Sequence, residues 1–254
     1  LAFTAWLATT MNEEGFEPGV GRDVVRWTAM RTTWSTGFGV VRAAPVLAGL
    51  VLAMMFVGAE ADAVNRLDLV RLRELGFPSA DGRETVLTFG IAWMVMVVVG
   101  LPFQWWTAVK VTADSAMTPR LAVLTLVAAG VGLGALLGGN LVVALVGLGV
   151  REVSTNSFAA LGAAWINHSA PSAARATVHS FLNLAQGVGR AVGGLGIAVV
   201  AELVSVRVGF VVALACMGSA AVVAAATLTA SERGHLAGVP DSGVDSNRPE
   251  VGPV

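Results

Sequence analysis

The stretch LVVALVGLGVREVSTNSFAALGAAW, residues 141–165, decides the fold. Its first ten residues are apolar or glycine, Arg151 and Glu152 interrupt them, and an apolar run resumes towards Trp165. At about 1.5 Å per residue this stretch is long enough to cross a hydrocarbon core of roughly 30 Å. It lacks the period-two alternation of a membrane β-barrel strand and exceeds the usual length of a buried helix in a water-soluble domain. A membrane-crossing helix is predicted, with the Arg-Glu pair roughly 15 Å in, close to the bilayer midplane. A charge at that depth costs roughly 3 kcal/mol or more, so each needs a partner, an aqueous cavity or a function.

Working outward, five more apolar runs of similar length stand at 43–64, 86–109, 121–137, 176–203 and 208–227. Only 13% of the 254 residues are charged and 55% are hydrophobic. A water-soluble domain of this size carries roughly a quarter charged residues, so a soluble enzyme is excluded as the default reading, and so is a disordered chain. With 16 basic against 17 acidic residues, the chain has no positive field to bind nucleic acid. The single cysteine, Cys216, excludes an internal disulfide and any multi-cysteine metal site. No cofactor is expected. The fold class predicted is an all-α membrane protein, a six-transmembrane-helix bundle over 43–230.

The flanks read differently. Residues 1–10 are apolar but too short to cross, and no basic residues precede them, so they are read as the end of a truncated transmembrane helix rather than a signal peptide. Residues 11–42 are polar and mixed, the composition of a cytoplasmic linker, and residues 231–254, rich in Gly, Pro, Ser and Asp, are predicted to be a disordered cytoplasmic tail. With the start of the chain in the cytoplasm, Arg22, Arg26, Arg31, Arg42, Lys110, Arg120, Arg175, Arg233 and Arg248 fall on that side. Arg66, Arg71, Arg73, Arg83 and Arg207 fall opposite, which follows the positive-inside rule.

Polar residues inside the spans are the candidate site. Arg151 and Glu152 are read either as cavity lining or as a structural pair fixing helix register. In the fifth span His179, Asn183, Gln186 and Arg190 recur at steps of four, three and four, which places them on one helix face. Gly187 and Gly194 are expected on the same stripe, facing the bundle or a water-filled cavity. Glu60 and Asp62 near the end of the first span point about 200° apart and cannot share a partner. Asp62 can pair with Arg66 at i, i+4, and the alternative for both acids is the wet outer rim. Gln104 and Asn156 are expected to hydrogen-bond between helices. Gly189 with Gly193, and Gly130, Gly134 and Gly138 in the third span, carry the four-residue spacing of close helix packing. Pro102 is expected to kink the second span. The three histidines, His168, His179 and His235, form no metal-binding or catalytic spacing, which sets a membrane enzyme aside.

Three segments carry a family likeness. Met11-Asn12-Glu13-Glu14-Gly15-Phe16 follows the short apolar start as a central linker follows a sixth helix. The first full span ends Glu60-Ala61-Asp62-Ala63-Val64-Asn65-Arg66-Leu67. Arg175-Ala176-Thr177-Val178-His179-Ser180 leads into a glycine-rich helix with Gly193-Gly194. With these, the chain resembles the C-terminal half of a major facilitator superfamily transporter, in a bacterial drug-efflux-like subgroup. The resemblance covers nearly all of the chain except the tail. It implies a 3+3 inverted repeat, a missing N-terminal six-helix half and a cavity at the interface of the halves, lined by the first and fourth spans. The loop from Lys110 to Arg120 takes the place of a family signature loop, and holds Asp114 and Arg120 without the full basic–acidic pattern.

The function expected is that of a fragment of a secondary active transporter. It moves a small-molecule substrate across the plasma membrane by alternating access, with proton coupling. Arg151 and Arg190 would hold anionic groups. Glu152, or alternatively Glu60 or Asp62, would carry the proton, since a carboxyl group in a partly dry site can be poised between its two protonation states. The rival readings are a six-helix membrane subunit and an inactive gene fragment that needs a partner half.

Overall fold

The computed structural model describes residues 44–77, 83–113, 117–169 and 175–237, together with isolated positions between 31 and 42. The expected helix end at 1–10, most of the linker and the tail beyond residue 237 lie outside the described residues, as does Asp114. The described chain is all-helical. Six helices are long and apolar enough to cross a membrane, the layout of a multi-pass membrane protein. They are α1 (Pro45–Glu74), α2 (Arg83–Ala113), α3 (Met117–Ala135), α4 (Leu141–Ser169), α5 (Arg175–Leu203) and α6 (Val206–Ala237).

Each helix starts and stops for local reasons. Pro45 opens α1 where its missing N–H has no helical partner to lose. Gly76, at φ +92°, closes it, with its N–H on the Arg73 carbonyl and the Phe77 N–H reaching Leu72. That pair of bonds is a Schellman stop. Asn140 caps α4 by accepting the N–H groups of Val142 and Val143 at 2.9 and 3.1 Å. Ser205 does the same for α6 through the Val208 N–H at 3.2 Å. The end of α3 is held by a side chain from another helix. Arg71 of α1 donates from Nε to the Leu136 carbonyl and from Nη2 to that of Gly138, both at 2.8 Å, and from Nη1 to Glu74 at 2.7 Å. A cation there satisfies carbonyls that the helix itself leaves unpaired.

Two boundaries differ from the sequence reading. The first span does not end near Val64 but continues ten residues to Glu74, because the polar residues after Val64 keep helical spacing and the stop lies at Gly76. The expected tail does not begin at 231 either. α6 runs on to Ala237, and Glu232 pairs with Arg120 at the start of α3, 3.0 Å apart. Pro102 lies inside α2, which continues past it to Ala113.

The packing is centred on α1 and α4. α1 lies against α6 and α5, α4 against α3 and α2, α3 against α6, and α1 meets α4 directly. α2 is the most peripheral: only 6% of its apolar window is buried, and Val95, Val98 and Val99 face outward as side chains facing lipid should. Small residues let the backbones meet. A Cβ on Gly132 of α3 would strike the Gly147 carbonyl of α4, and one on Gly147 would strike that of Gly132. The expected stripe at Gly130, Gly134 and Gly138 does not make this contact. Gly134 has nothing within 4 Å, and Gly130 meets only the ends of side chains of α6. The face of α3 that packs is set by its neighbour, one residue pair round from the spacing that the sequence displays. Gly189 and Gly193 do make their contact, against Met55 and Ala59 of α1.

Candidate functional site

The site forms where the inner stripes of α1 and α4 meet. Val57, Glu60, Val64, Asp68 and Arg71 recur at steps of three or four and are buried, so the polar members share the helix face that the apolar ones bury. On α4 the corresponding stripe is Ala144, Gly147, Leu148, Arg151, Ser154 and Phe158. Glu60 lies midway along α1 and Arg151 roughly 15 Å from the start of α4, so the two meet at mid-depth.

Arg151 is a clamp with every nitrogen engaged. Nε donates to Glu60 Oε1 and Nη2 to Glu60 Oε2, both at 2.8 Å, a two-point match of guanidinium to carboxylate. Nη1 donates to Glu152 Oε2, also at 2.8 Å. The side chains of Glu60 and Arg151 are 0% and 2% exposed, and Glu152 is 18% exposed. One carboxylate is therefore sealed in the bundle while the other opens outward. Glu152 Oε1 accepts from Asn156 Nδ2 at 3.1 Å. Arg151 pairs α4 with α1 through Glu60 and also lines the cavity.

The cavity is small, about 110 Å³, between α1, α4 and α5. Arg151 and Glu152 form one polar wall, and Asn65, Gln186 and Arg190 contribute the others, with Met54 and Phe158 among the apolar lining. Neither amide, Asn65 nor Gln186, makes a side-chain hydrogen bond among the described residues, and Arg190 makes no ion pair there.

α5 reaches this cavity through an irregular turn. Residues Gly189–Gly194 form a π-helical segment inside an otherwise α-helical rod. Buried positions along α5 run Val178, Leu182, Gly189, Gly194, Ile197 and Ala201. The step from Gly189 to Gly194 is five residues, where an α-helix would place three or four. The extra residue moves Gly194 off the polar stripe and onto the packed face, against the Asp62 side chain. The stripe of His179, Asn183, Gln186, Gly187 and Arg190 keeps its place on the more open face.

Of the seven expected site residues, Arg151, Glu152, Gln186 and Arg190 come together at the cavity. Glu60 backs it through Arg151 and is not at the rim, a correction that follows from the true end of α1. Asn183 is exposed on α5, away from the cavity lining. Asp62 pairs with Arg66 at 2.8 Å, one helical turn along, and takes no part in the cluster. Asn156 bonds within its own helix, not between helices, because Glu152 lies one turn before it. His179 faces Asn167 at 3.1 Å.

Comparison with protein-family models, curated proteins and solved structures finds no match to this chain.

Sequence reasoning gives no site role to three further polar residues of α1. Asp68 is 5% exposed, and one of its carboxylate oxygens accepts its neighbour's backbone N–H. Arg71 is spent on the end of α3. Asn65 lines the cavity. All three lie in the last part of α1, and the stop signal Gly76-Phe77-Pro78 was the clue that this part is helical.

Proposed function

We propose that this chain is one six-helix half of a secondary transporter of the major facilitator kind. It moves a small molecule across the cell membrane by alternating access and couples that movement to protons through Glu152. The observation that carries the reading is the clamp at mid-depth. Ion pairs inside a membrane are costly and mark substrate or proton paths, and here one carboxylate of the cluster opens onto a polar cavity while its counterpart is sealed. Glu152 shares Arg151 with Glu60, so Arg151 keeps an ionic partner when Glu152 takes up a proton.

The helix packing supports an internal repeat. Exchanging α1, α2 and α3 with α4, α5 and α6 turns the α1–α6 contact into α4–α3 and the α1–α5 contact into α4–α2. The α1–α4 and α3–α6 contacts map onto themselves. That pattern fits a 3+3 repeat with the binding site at the repeat interface. On this reading a second six-helix half covers the open polar face of α5, the C-terminus lies in the cytoplasm, and the activity is transport rather than bond-making.

Proteoliposomes holding the complete transporter under an imposed pH gradient test the proton assignment. Glu152→Gln is expected to lower gradient-driven accumulation of a labelled substrate by at least about tenfold, while exchange without a gradient persists. Retained gradient-driven accumulation in this variant rejects Glu152 as the proton carrier. The coding sequence upstream of Leu1 tests the partner half: an in-frame six-helix segment supports it, and its absence rejects it.

A further inference from the structure

The ionic pairing at the cavity is uneven, and the unevenness points to a ligand class: Arg151 lies between two carboxylates while Arg190 pairs with none among the described residues. Arg151 donates from all three of its nitrogens to Glu60 and Glu152, and Glu152 accepts one bond from Arg151 and one from Asn156. Arg190 is left as the one charged lining group without an ionic partner among the described residues, one helical turn from Gln186. The amides of Gln186 and Asn65, both without a side-chain bond, line the same space. We infer that this cavity binds the anionic group of a small organic anion, with Arg190 as its cationic anchor and the Gln186 and Asn65 amides as further donors. The inference rests on the transporter reading for its place in a cycle, but binding itself needs no transport.

The chemistry follows from the donors. A guanidinium presents paired N–H groups that match a carboxylate or a phosphate at two points. Arg190 and Asn65 stand exposed at the open side of the cavity and Gln186 is half-buried, with the apolar Met54 and Phe158 in its wall. A cationic ligand would face Arg190 directly, and the one carboxylate lining the cavity, Glu152, already shares its charge with Arg151. Phospholipid headgroups are not the source of the anion, because Arg190 lies roughly 20 Å from either end of α5. The π turn contributes to placement: Arg190 follows Gly189, whose missing side chain lets α5 lie against the Met55 carbonyl, so the guanidinium starts from a backbone held close to α1.

The test measures binding to the full chain in phosphatidylcholine nanodiscs at pH 7, by titration calorimetry with empty nanodiscs subtracted. Three probes of matched size are used: benzoate, benzamide and benzylamine. Benzoate is expected to bind at least about tenfold more tightly than benzamide, with no binding of benzylamine. Arg190→Gln is expected to weaken benzoate at least about tenfold, and Arg190→Lys to restore part of the loss. Arg66→Gln, at the exposed pair with Asp62, is expected to leave benzoate binding unchanged. Three results overturn the inference: preference for benzylamine, no binding of any probe, or equal benzoate affinity in wild type and Arg190→Gln. Equal loss in Arg66→Gln and Arg190→Gln also overturns it, since that would mark a diffuse charge effect. Benzoate binding that depends on Arg190, together with no transport by the complete protein, would reject the transporter reading and leave the anion site standing.

Discussion

Replacing Arg151 by Met is expected to destabilise the bundle by about 3–5 kcal/mol, the cost of leaving a buried carboxylate without its partner. Met keeps much of the volume, so the loss reports charge more than packing. Glu60, fully buried, would lose both of its bonds at once. Glu60→Leu is expected to cost less, because Arg151 keeps Glu152 at 2.8 Å. Glu152→Gln is expected to cost least, since that side chain is partly exposed and Arg151 retains Glu60. Combining Glu60→Leu with Arg151→Met is expected to recover much of the single-variant loss, as buried ion pairs replaced whole by apolar groups often do. Equilibrium unfolding in mixed detergent micelles, followed by tryptophan fluorescence, measures the series. An order other than Arg151 above Glu60 above Glu152 would mean that the clamp does not hold α1 to α4.

The second large effect is expected at the α3–α4 contact. Gly132→Ala and Gly147→Ala each put a methyl group against a backbone carbonyl of the facing helix, and a backbone cannot step aside as a side chain can. Overpacking of this kind costs about 1–3 kcal/mol, occasionally more. The control is Gly134→Ala in the same helix. With nothing within 4 Å of it, that change is expected to be neutral or to stabilise by up to about 1 kcal/mol through helix propensity. The same unfolding measurement reads all three. Equal effects at Gly132 and Gly134 would mean that the helices meet elsewhere.

The spans were readable because apolar runs of this length have few other uses, and Arg151 was readable because a charge ten residues into such a run is conspicuous. Its partner was not. Hydropathy alone ends the first span where Asn65, Arg66 and Asp68 begin, which moves Glu60 to the rim. The helix ends instead at Gly76, where backbone geometry stops it, so ten further residues, six of them polar, belong to the helix. The glycine contacts show a different limit. Spacing identifies Gly130, Gly134 and Gly138 as a stripe, but only the neighbouring helix decides whether that stripe or Gly132 is the one approached. Arg190 and Gln186 were found because their face is polar over several turns. The displacement of Gly194 from that face was hidden, because nothing in Gly189-Arg190-Ala191-Val192-Gly193-Gly194 marks a change of pitch in advance.

That change of pitch gives α5 one residue more than a straight rod needs to keep both of its ends in register with α1. The surplus acts as a phase shifter: the segment before it can present polar groups inward, while the segment after it keeps an apolar seam of Ile197 and Ala201. Deleting a single residue from Gly189–Gly194 would return the helix to constant pitch with its buried positions at steps of four, three and four, so the seam would still face α1. One further residue inserted there would instead rotate the last two turns by about 100° and turn the seam outward. The turn therefore tolerates the loss of a residue better than the gain of one, whereas substitutions at Arg190 act on what the cavity holds.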